Sequence, residues 1–428
     1  MPRFIGIKKN FIQIVSDQEF SYKDLKMVKL PEEFENISSE DLITNYRYSN
    51  NELKCKKVSK PIGQLKIAFV GNWKMKCGIS TYSENLYPII AKQCKDFKLF
   101  IEENDAPTSD IFQLGDRKLN EEQVSICWKR GASLKKLAEE IKAYDPDVIS
   151  LQHEFGIYPK ATHWLSFINQ LSQYRIITTM HSVFHHKDKT ICEQAMSEII
   201  VHLDGAKDVL KNEKQISGDV HVIPHGCFMP DNHKLWNLYN TPHTIIQSGF
   251  AFRYKGWEQT LKTIALLKQS IPDIFFTGIL SESPFNMVEH QLYYNELMEL
   301  IEKLGIEENV SLLRGYVSDE VLNSYLETNK IAIFPYTSAP GHEVFGVSGA
   351  ARLAMRKTIP IITSNGNHFQ DIPSIKCDSP EQMCEEILKL FSNKKCYDEQ
   401  VAKQNEYLIN NTWEKVAESY IKIFENPS

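Results

Sequence analysis

Residues 146–183 read PDVISLQHEFGIYPKATHWLSFINQLSQYRIITTMHSV. Two apolar, β-branched runs, PDVISLQHEFG (146–156) and YRIITTMHSV (174–183), flank ATHWLSFINQLSQ (161–173), whose apolar residues recur at helical spacing. Strand, helix, strand within one short stretch is a βαβ unit. Such a unit requires a parallel sheet with helices on its faces.

Working outward, the pattern repeats. Upstream, LKIAFVG (65–71) is an apolar strand ending in Gly71, and STYSENLYPIIAKQC (80–94) is a Ser-capped helix. LFIEEN (99–104) and DIFQLG (110–115) are short β candidates, and SLKKLAEEIKAY (133–144) is an amphipathic helix. Downstream, CEQAMSEIIVHLDGAKDVLKN (192–212) reads as a helix and GDVHVIPHG (218–226) as a strand. Residues 227–243 carry two prolines and no clean period, which marks a linker. A second α/β series follows. Its strands are HTIIQSGF, DIFFTGI, VSLLRGYV, KIAIFPYT and IPIITSNG, alternating with helices such as GWEQTLKTIALLKQS and SGAARLAMRK. NTWEKVAESYIKIFE (411–425) is a further helix with a Thr cap. Ahead of all this, FIGI and FIQIV read as strands around a Lys-Lys-Asn turn, LPEEFENISSEDLITNYRY contains a short helix, and KVSKPIGQ is a linker. The organisation expected is therefore a small α+β extension (1–64), two α/β domains (65–235 and 236–410) and a helix (411–428).

Composition narrows the class. The 428 residues are 42% hydrophobic and 24% charged, as in soluble globular proteins, which excludes a disordered or fibrous chain. Forty-nine Lys and Arg against 55 Asp and Glu give a net charge of −6, which gives no support to a nucleic-acid partner. The nine cysteines show no CxxC pair, so they read as free thiols of a cytoplasmic protein. No apolar run has the length of a membrane span, which leaves room only for peripheral membrane association.

In parallel α/β sheets, ligands bind beyond the carboxyl ends of the strands. The residues there are Gly71 onward, Gln152-His153-Glu154, His181-Ser182 and Pro224-His225-Gly226 in the first series. In the second series, GFAFRYKG puts Arg253 and Lys255 directly before a helix, a ready diphosphate site. GHEVFGVSGAA is a glycine-rich loop running into another helix start, and its Glu343 suits vicinal hydroxyls. The absence of GxGxxG after LKIAFVG, of GxxxxGK[ST] and of GxSxG disfavours a dehydrogenase, a P-loop nucleotidase and an α/β-hydrolase. Two such domains facing each other imply a substrate in the cleft between them.

Six motifs in order, KCGISTYSENL (76–86), LQHEFGIYP (151–159), TTMHSV (178–183), VIPHG (222–226), RYKGWEQTL (253–261) and FPYT…SGA (334–350), resemble glycosyltransferase family 4. The likeness is to a bacterial subgroup with CGIA-type first loops, QHEFGI and PHG. That family has the GT-B fold, two Rossmann-like domains across a cleft, and contains retaining enzymes that use sugar nucleotides. The resemblance implies an acceptor-side first domain, a donor-binding second domain and a last helix, around Trp413, that crosses back to the first. It implies that Gly78 lets the chain approach the donor or acceptor and that His181 stands over the donor sugar. His153, Glu154 and His225 belong to the cleft or acceptor side. Arg253 and Lys255 bind the diphosphate, Glu343 contacts the donor sugar's hydroxyls, and Gly346, Ser348 and Gly349 shape the donor loop. Catalytic roles fall on His181, Glu343 and Lys255.

The donor expected is a nucleotide sugar of the GDP-mannose or UDP-glucose type, and the acceptor a glycan, lipid-linked or small hydroxyl compound. No cofactor and no metal are expected. The chain departs from the pattern at Leu353, which stands where the family's second, ribose-binding glutamate is usual, and in the short Arg253–Lys255 spacing. Leu353 favours a rival reading, a non-catalytic sugar-nucleotide or glycan-binding protein. A sugar-nucleotide epimerase and a DNA-modifying sugar transferase are two further rivals.

Overall fold

The computed structural model describes residues 3–8, 11–19, 21, 25–39, 42–43, 46–49, 52–55, 59–187, 198–216, 218–231, 242–282, 286–338 and 343–426. Most of the expected linker, residues 232–241, lies outside them.

The amino-terminal strands β1 (Phe4–Lys8), β2 (Phe11–Ser16), β3 (Lys26–Lys29), β4 (Tyr46–Ser49) and β5 (Glu52–Cys55) form an antiparallel sheet ordered β3-β1-β2-β4-β5. Ile5, Ile7 and Ile12 pack with Leu30 and Leu42 as a core of their own. The sequence pattern yields only β1 and β2. KMVK, YRYS and ELKC are too short and polar to stand out by alternation. Within 30–48, Glu32–Phe34 is a 3₁₀ turn and Ser39, Leu42 and Ile43 are helical, where the short helix is expected, while residues 40, 41, 44 and 45 lie outside the described residues.

The first large sheet holds β6 (Lys66–Gly71), β7 (Asp96–Glu102), β10 (Val124–Trp128), β11 (Val148–His153), β12 (Arg175–Met180), β14 (Glu198–Val201) and β15 (Asp219–Val222). The stretch read as the strand DIFQLG (110–115) is instead the end of a short helix at Asp110–Ile111 followed by β8 (Gln113–Leu114), which forms a minor hairpin with β9 (Arg117–Lys118). Every neighbour in the order β10-β7-β6-β11-β12-β14-β15 is parallel. Helices α1 (Gly78–Ala91), α2 (Thr108–Ile111), α3 (Lys135–Tyr144), α4 (Ala161–Gln170) and α5 (Asp204–Asp208) connect them. One expectation is corrected here. Within the expected helix 192–212, residues 192–197 lie outside the described residues, Glu198–Val201 is instead the buried strand β14, and Asp204–Asp208 is helix. Glu-Ile-Ile-Val has two adjacent β-branched isoleucines beside a valine. A strand buried on both faces shows no period to separate it from a helix.

The second sheet holds β16 (Thr244–Phe250), β17 (Phe275–Ser281), β18 (Val310–Arg314), β19 (Ile331–Phe334), β21 (Ile361–Thr363) and β22 (Ile375–Lys376) in the order β18-β17-β16-β19-β21-β22, all parallel. Its helices are α6 (Trp257–Leu267), α7 (Met287–Leu304), α8 (Asp319–Thr328), α9 (Gly349–Arg356), α10 (Pro380–Ser392) and α11 (Lys394–Asn410). Both sheets reverse strand order once, at β6/β11 and at β16/β19, and a crevice opens at such a reversal.

Helix α12 (Trp413–Glu425) follows the second sheet in sequence but packs into the first. Trp413, Val416, Ala417, Tyr420, Ile421 and Phe424 share one core with Ile67, Phe69, Tyr82 and Leu86. Each large side chain so buried contributes about 1.5–3 kcal/mol before entropy is counted. Gly226 makes room for this, since a Cβ there would lie 2.2 Å from the Trp413 ring. The two chain crossings are bonded to each other. The Cys227 amide donates to the Asn411 carbonyl at 2.8 Å, and the Trp413 amide donates to the Cys227 carbonyl at 3.2 Å.

Candidate active site

The strand ends of the two sheets meet. Past β12 the chain turns at His181 into β13 (Ser182–Phe184), which pairs antiparallel with β20 (Val344–Gly346) of the second half. A Cβ on Gly346 would lie 3.1 Å from the His181 carbonyl oxygen. Elsewhere along the cleft, the Lys76 ammonium stands 5.2 Å from the centre of the Tyr316 ring, which follows β18.

On the first side, His181 is a neutral imidazole. Its Nε2 donates to Gln152 Oε1 at 2.7 Å, which leaves Nδ1 as the acceptor. Burial holds its pKa well below the usual histidine value, helped by the nearby His202 and His153. The rings of His181, His202, His225 and Trp413 surround Tyr82, with centroids 4.9, 5.2, 5.1 and 5.1 Å from it. His202 and His225 direct Nδ1 to the carbonyls of Ile223 and Gly226. Burial lowers His202 to about 4 and His225 well below its ordinary value. The Tyr82 hydroxyl meets that of Tyr420 at 2.9 Å, and Tyr420 in turn meets Thr179 at 2.8 Å, so α12 supports this cluster from behind.

Glu154 accepts from the Ser182 hydroxyl at 2.6 Å and from the Phe155 amide at 2.9 Å. Burial raises its pKa. Gly78 opens α1, with nothing within 4 Å of where its Cβ would be. His153 does not line the open cleft. It is 1% exposed and packs among Phe155, Tyr158 and Trp164, with burial lowering its pKa to about 3.

On the second side, Arg253–Lys255 form a 3₁₀ turn that Gly256 ends in the left-handed conformation, starting α6. A side chain at Gly256 is impossible without movement, because its Cβ would lie 1.8 Å from the Pro335 carbonyl oxygen. This turn lays the Lys255 ammonium over two rings, 3.9 Å from the centre of Tyr336 and 4.9 Å from that of Tyr254. Among the described residues no carboxylate pairs with Lys255, and burial lowers its pKa. His368 packs beside Tyr254 and Tyr336 and is lowered to about 3 by burial and by Lys255. Tyr336 continues the chain of contacts, its hydroxyl 2.9 Å from Ser348 Oγ, which caps α9 at the Ala351 amide. Gly349 is the first residue of α9, with open space where its Cβ would be.

Arg253 lies in the same turn but is paired. Its guanidinium forms a two-pronged pair with Glu296 at 2.6 and 2.7 Å and stacks over Tyr293, with half of its side chain exposed. It borders a cavity of about 620 Å³ together with Tyr254, Lys262, Thr337, Val344 and His368. Glu343 lies directly before β20, whose first residue, Val344, pairs with Phe184 of the first half. Leu353 packs into an apolar cluster with Phe334 and Tyr336.

Sequence reasoning missed His202, His368 and Tyr82. His202 directly follows β14 and would have been found by the strand-end rule, had β14 not been read as helix. His368 lies a few residues past the end of β21, in the loop that opens with Ser364-Asn365-Gly366. Also missed was a polar knot at the ends of β6 and β7. There, buried Glu102 accepts from Asn72 at 2.5 Å and from Arg130 at 3.1 Å. Among the described residues no group of three or more His, Cys, Asp or Glu is arranged to hold a metal ion, and no helix is long and apolar enough to cross a membrane.

Comparison with known proteins identifies the architecture. Residues 228–412 match the family model described as Glycosyl transferases group 1. The fold is GT-B. Among solved structures, the Anabaena Alr3699/HepE complex with UDP and glucose superposes with a TM-score of 0.62 at 12% identity, over 84% of this chain and 99% of that one. A glycosyltransferase from Rickettsia africae gives 0.64 at 14% identity, over 85% and 98%. A sucrose-phosphate synthase from Thermosynechococcus elongatus gives 0.63 at 16% identity, over 84% and 98%. A search of curated proteins finds no match. The GT-B framework accounts for the two facing sheets and the matched second half, whose β16/β19 reversal lies beside the Lys255 turn.

Proposed function

We propose that this chain is a glycosyltransferase that moves a hexose from a nucleotide-diphosphate sugar to a hydroxyl acceptor, with retention of configuration and without a metal ion. The observation that carries this reading is Lys255, a partly buried ammonium with no carboxylate partner among the described residues, held over Tyr336 at the start of α6. A cation partly withdrawn from water without a counter-charge is costly, and it is worth keeping where an anion arrives. A diphosphate leaving group is such an anion. Solved neighbours crystallised with UDP and glucose, or with UDP-glucose, support a donor of that kind.

In this reading, cleavage of the glycosyl–phosphate bond moves an electron pair onto the diphosphate. Lys255 and the first amides of α6 stabilise that charge as it grows. His181, neutral and fixed by Gln152, faces the donor sugar across the cleft. Glu343 holds sugar hydroxyls. The acceptor attacks the oxocarbenium-like centre on the face the diphosphate leaves, and the departing phosphate takes the acceptor proton. Closure of the two halves keeps water from the donor.

The non-catalytic reading has two observations in its favour, Arg253 held by Glu296 and Leu353 packed in an apolar cluster. Thermal-shift measurements with UDP-glucose and GDP-mannose, followed by transfer assays with and without chelator, separate the two. Binding with no turnover over an acceptor panel supports the rival. Transfer abolished by chelator contradicts the metal-free mechanism.

A further inference from the structure

The strand pair between the halves has an anchor of its own. Phe345 is the middle residue of β20 and comes from the second half, yet it packs against a core cluster of the first half that includes Met180, Val183 and Ala206. Its ring meets His185 edge to face at 5.4 Å. It rests on the backbone of Gly205, where an added Cβ would come within 2.4 Å of the ring. Gly205 lies within helix α5, where its φ is not in the left-handed region, so its own conformation does not require glycine. The close approach of Phe345 does.

The residues this anchor registers are those of the proposed reaction. Ser182 pairs with Gly346 and Phe184 with Val344. His181 therefore lies one residue beyond one end of the ladder, and Glu343 one residue beyond the other. Three residue pairs make a short ladder, and so short a pair is marginal unless apolar packing holds it.

We propose that Phe345 is a positioning residue. Seated on Gly205, it latches the Glu343 loop of the second half onto the His181 turn of the first and so sets the geometry of the assembled cleft. This rests on the transferase reading for its catalytic consequence, but the latch itself has a separate readout. Removing the ring opens the ladder, and displacing the ring from the other side does the same. Filling the vacated space from the first half closes it again.

The test uses full-length protein and hydrogen–deuterium exchange read by mass spectrometry. Phe345→Ala and Gly205→Ala each raise exchange in both 182–184 and 344–346, while exchange in β16 and β17 stays at wild-type level and shows that the fold is intact. The double variant Phe345→Ala with Gly205→Leu restores protection to both segments. With UDP-glucose as donor, the single variants lower kcat by roughly 10–100-fold with a smaller change in KM, the pattern of lost registration rather than lost binding. Unchanged exchange in Phe345→Ala overturns the latch, and so does increased exchange spread through β16 and β17. A wild-type protein that transfers nothing, but whose variants exchange as described, upholds the latch and removes the transferase reading instead.

Discussion

Two kinds of basic side chain meet at the cleft, and burial lowers the pKa of both. Burial lowers the pKa of Lys255 from the high value of a lysine, and aromatic faces lie under its charge. The histidines around Tyr82 give theirs up, because nothing anionic is near enough to offset burial. Replacing Lys255 by Ala removes the proposed diphosphate charge. Turnover is expected to fall by about 10²-fold or more with the chain still folded, measured as initial rate against a donor panel. The histidines predict acid sensitivity. Their folded pKa values lie below the unfolded value of 6.5, so below that pH the unfolded chain binds more protons than the native one. Stability therefore falls as pH drops from about 6.5 toward 4, where His202 titrates. Each such group adds about 1.4 kcal/mol per pH unit within the window. Thermal midpoints measured from pH 7 to pH 5 should decline, and His202→Asn should make the decline shallower.

At the scale of elements, the glycines that matter are those another element approaches. Gly256 sits at φ 70° against Pro335, so Gly256→Ala costs at least about 2 kcal/mol and moves the Lys255 turn, which thermal unfolding and donor titration would both register. Gly226→Ala would drive Trp413 off its seat and expose the β6 face, read as increased dye binding and lower stability. Such elements differ in how legible they are from sequence. LKIAFVG, PDVISLQHEFG and YRIITTMHSV are apolar runs between capped helices, and the sheet follows from them. EIIV does not announce itself because it is buried on both faces, and its loss as a strand hid His202 as well. The Lys255 turn is legible because two cations precede a helix start. That Arg253 reaches Glu296 is not, because Glu296 lies on a different helix, 43 residues away. The anchoring of Phe345 on Gly205 is equally hidden, since only the docked halves bring them together.

For the whole molecule, cleft residues from both halves should make ligand binding a joint event. UDP-glucose at a hundredfold its Kd adds about 2.7 kcal/mol to a protein that binds it only when folded. With the latch closed, that gain should appear in the unfolding of both α/β halves together. Calorimetric traces in which only one transition moves would contradict a shared site. The crossing of α12 also has a consequence in time. The first half's sheet is complete by Val222, yet its core lacks Trp413, Tyr420 and Phe424 until roughly 190 further residues have been made. At about 5–20 residues per second this leaves an apolar groove uncovered for roughly 10–40 s during synthesis. The nascent first half therefore acquires its finished surface only after the second half has been translated.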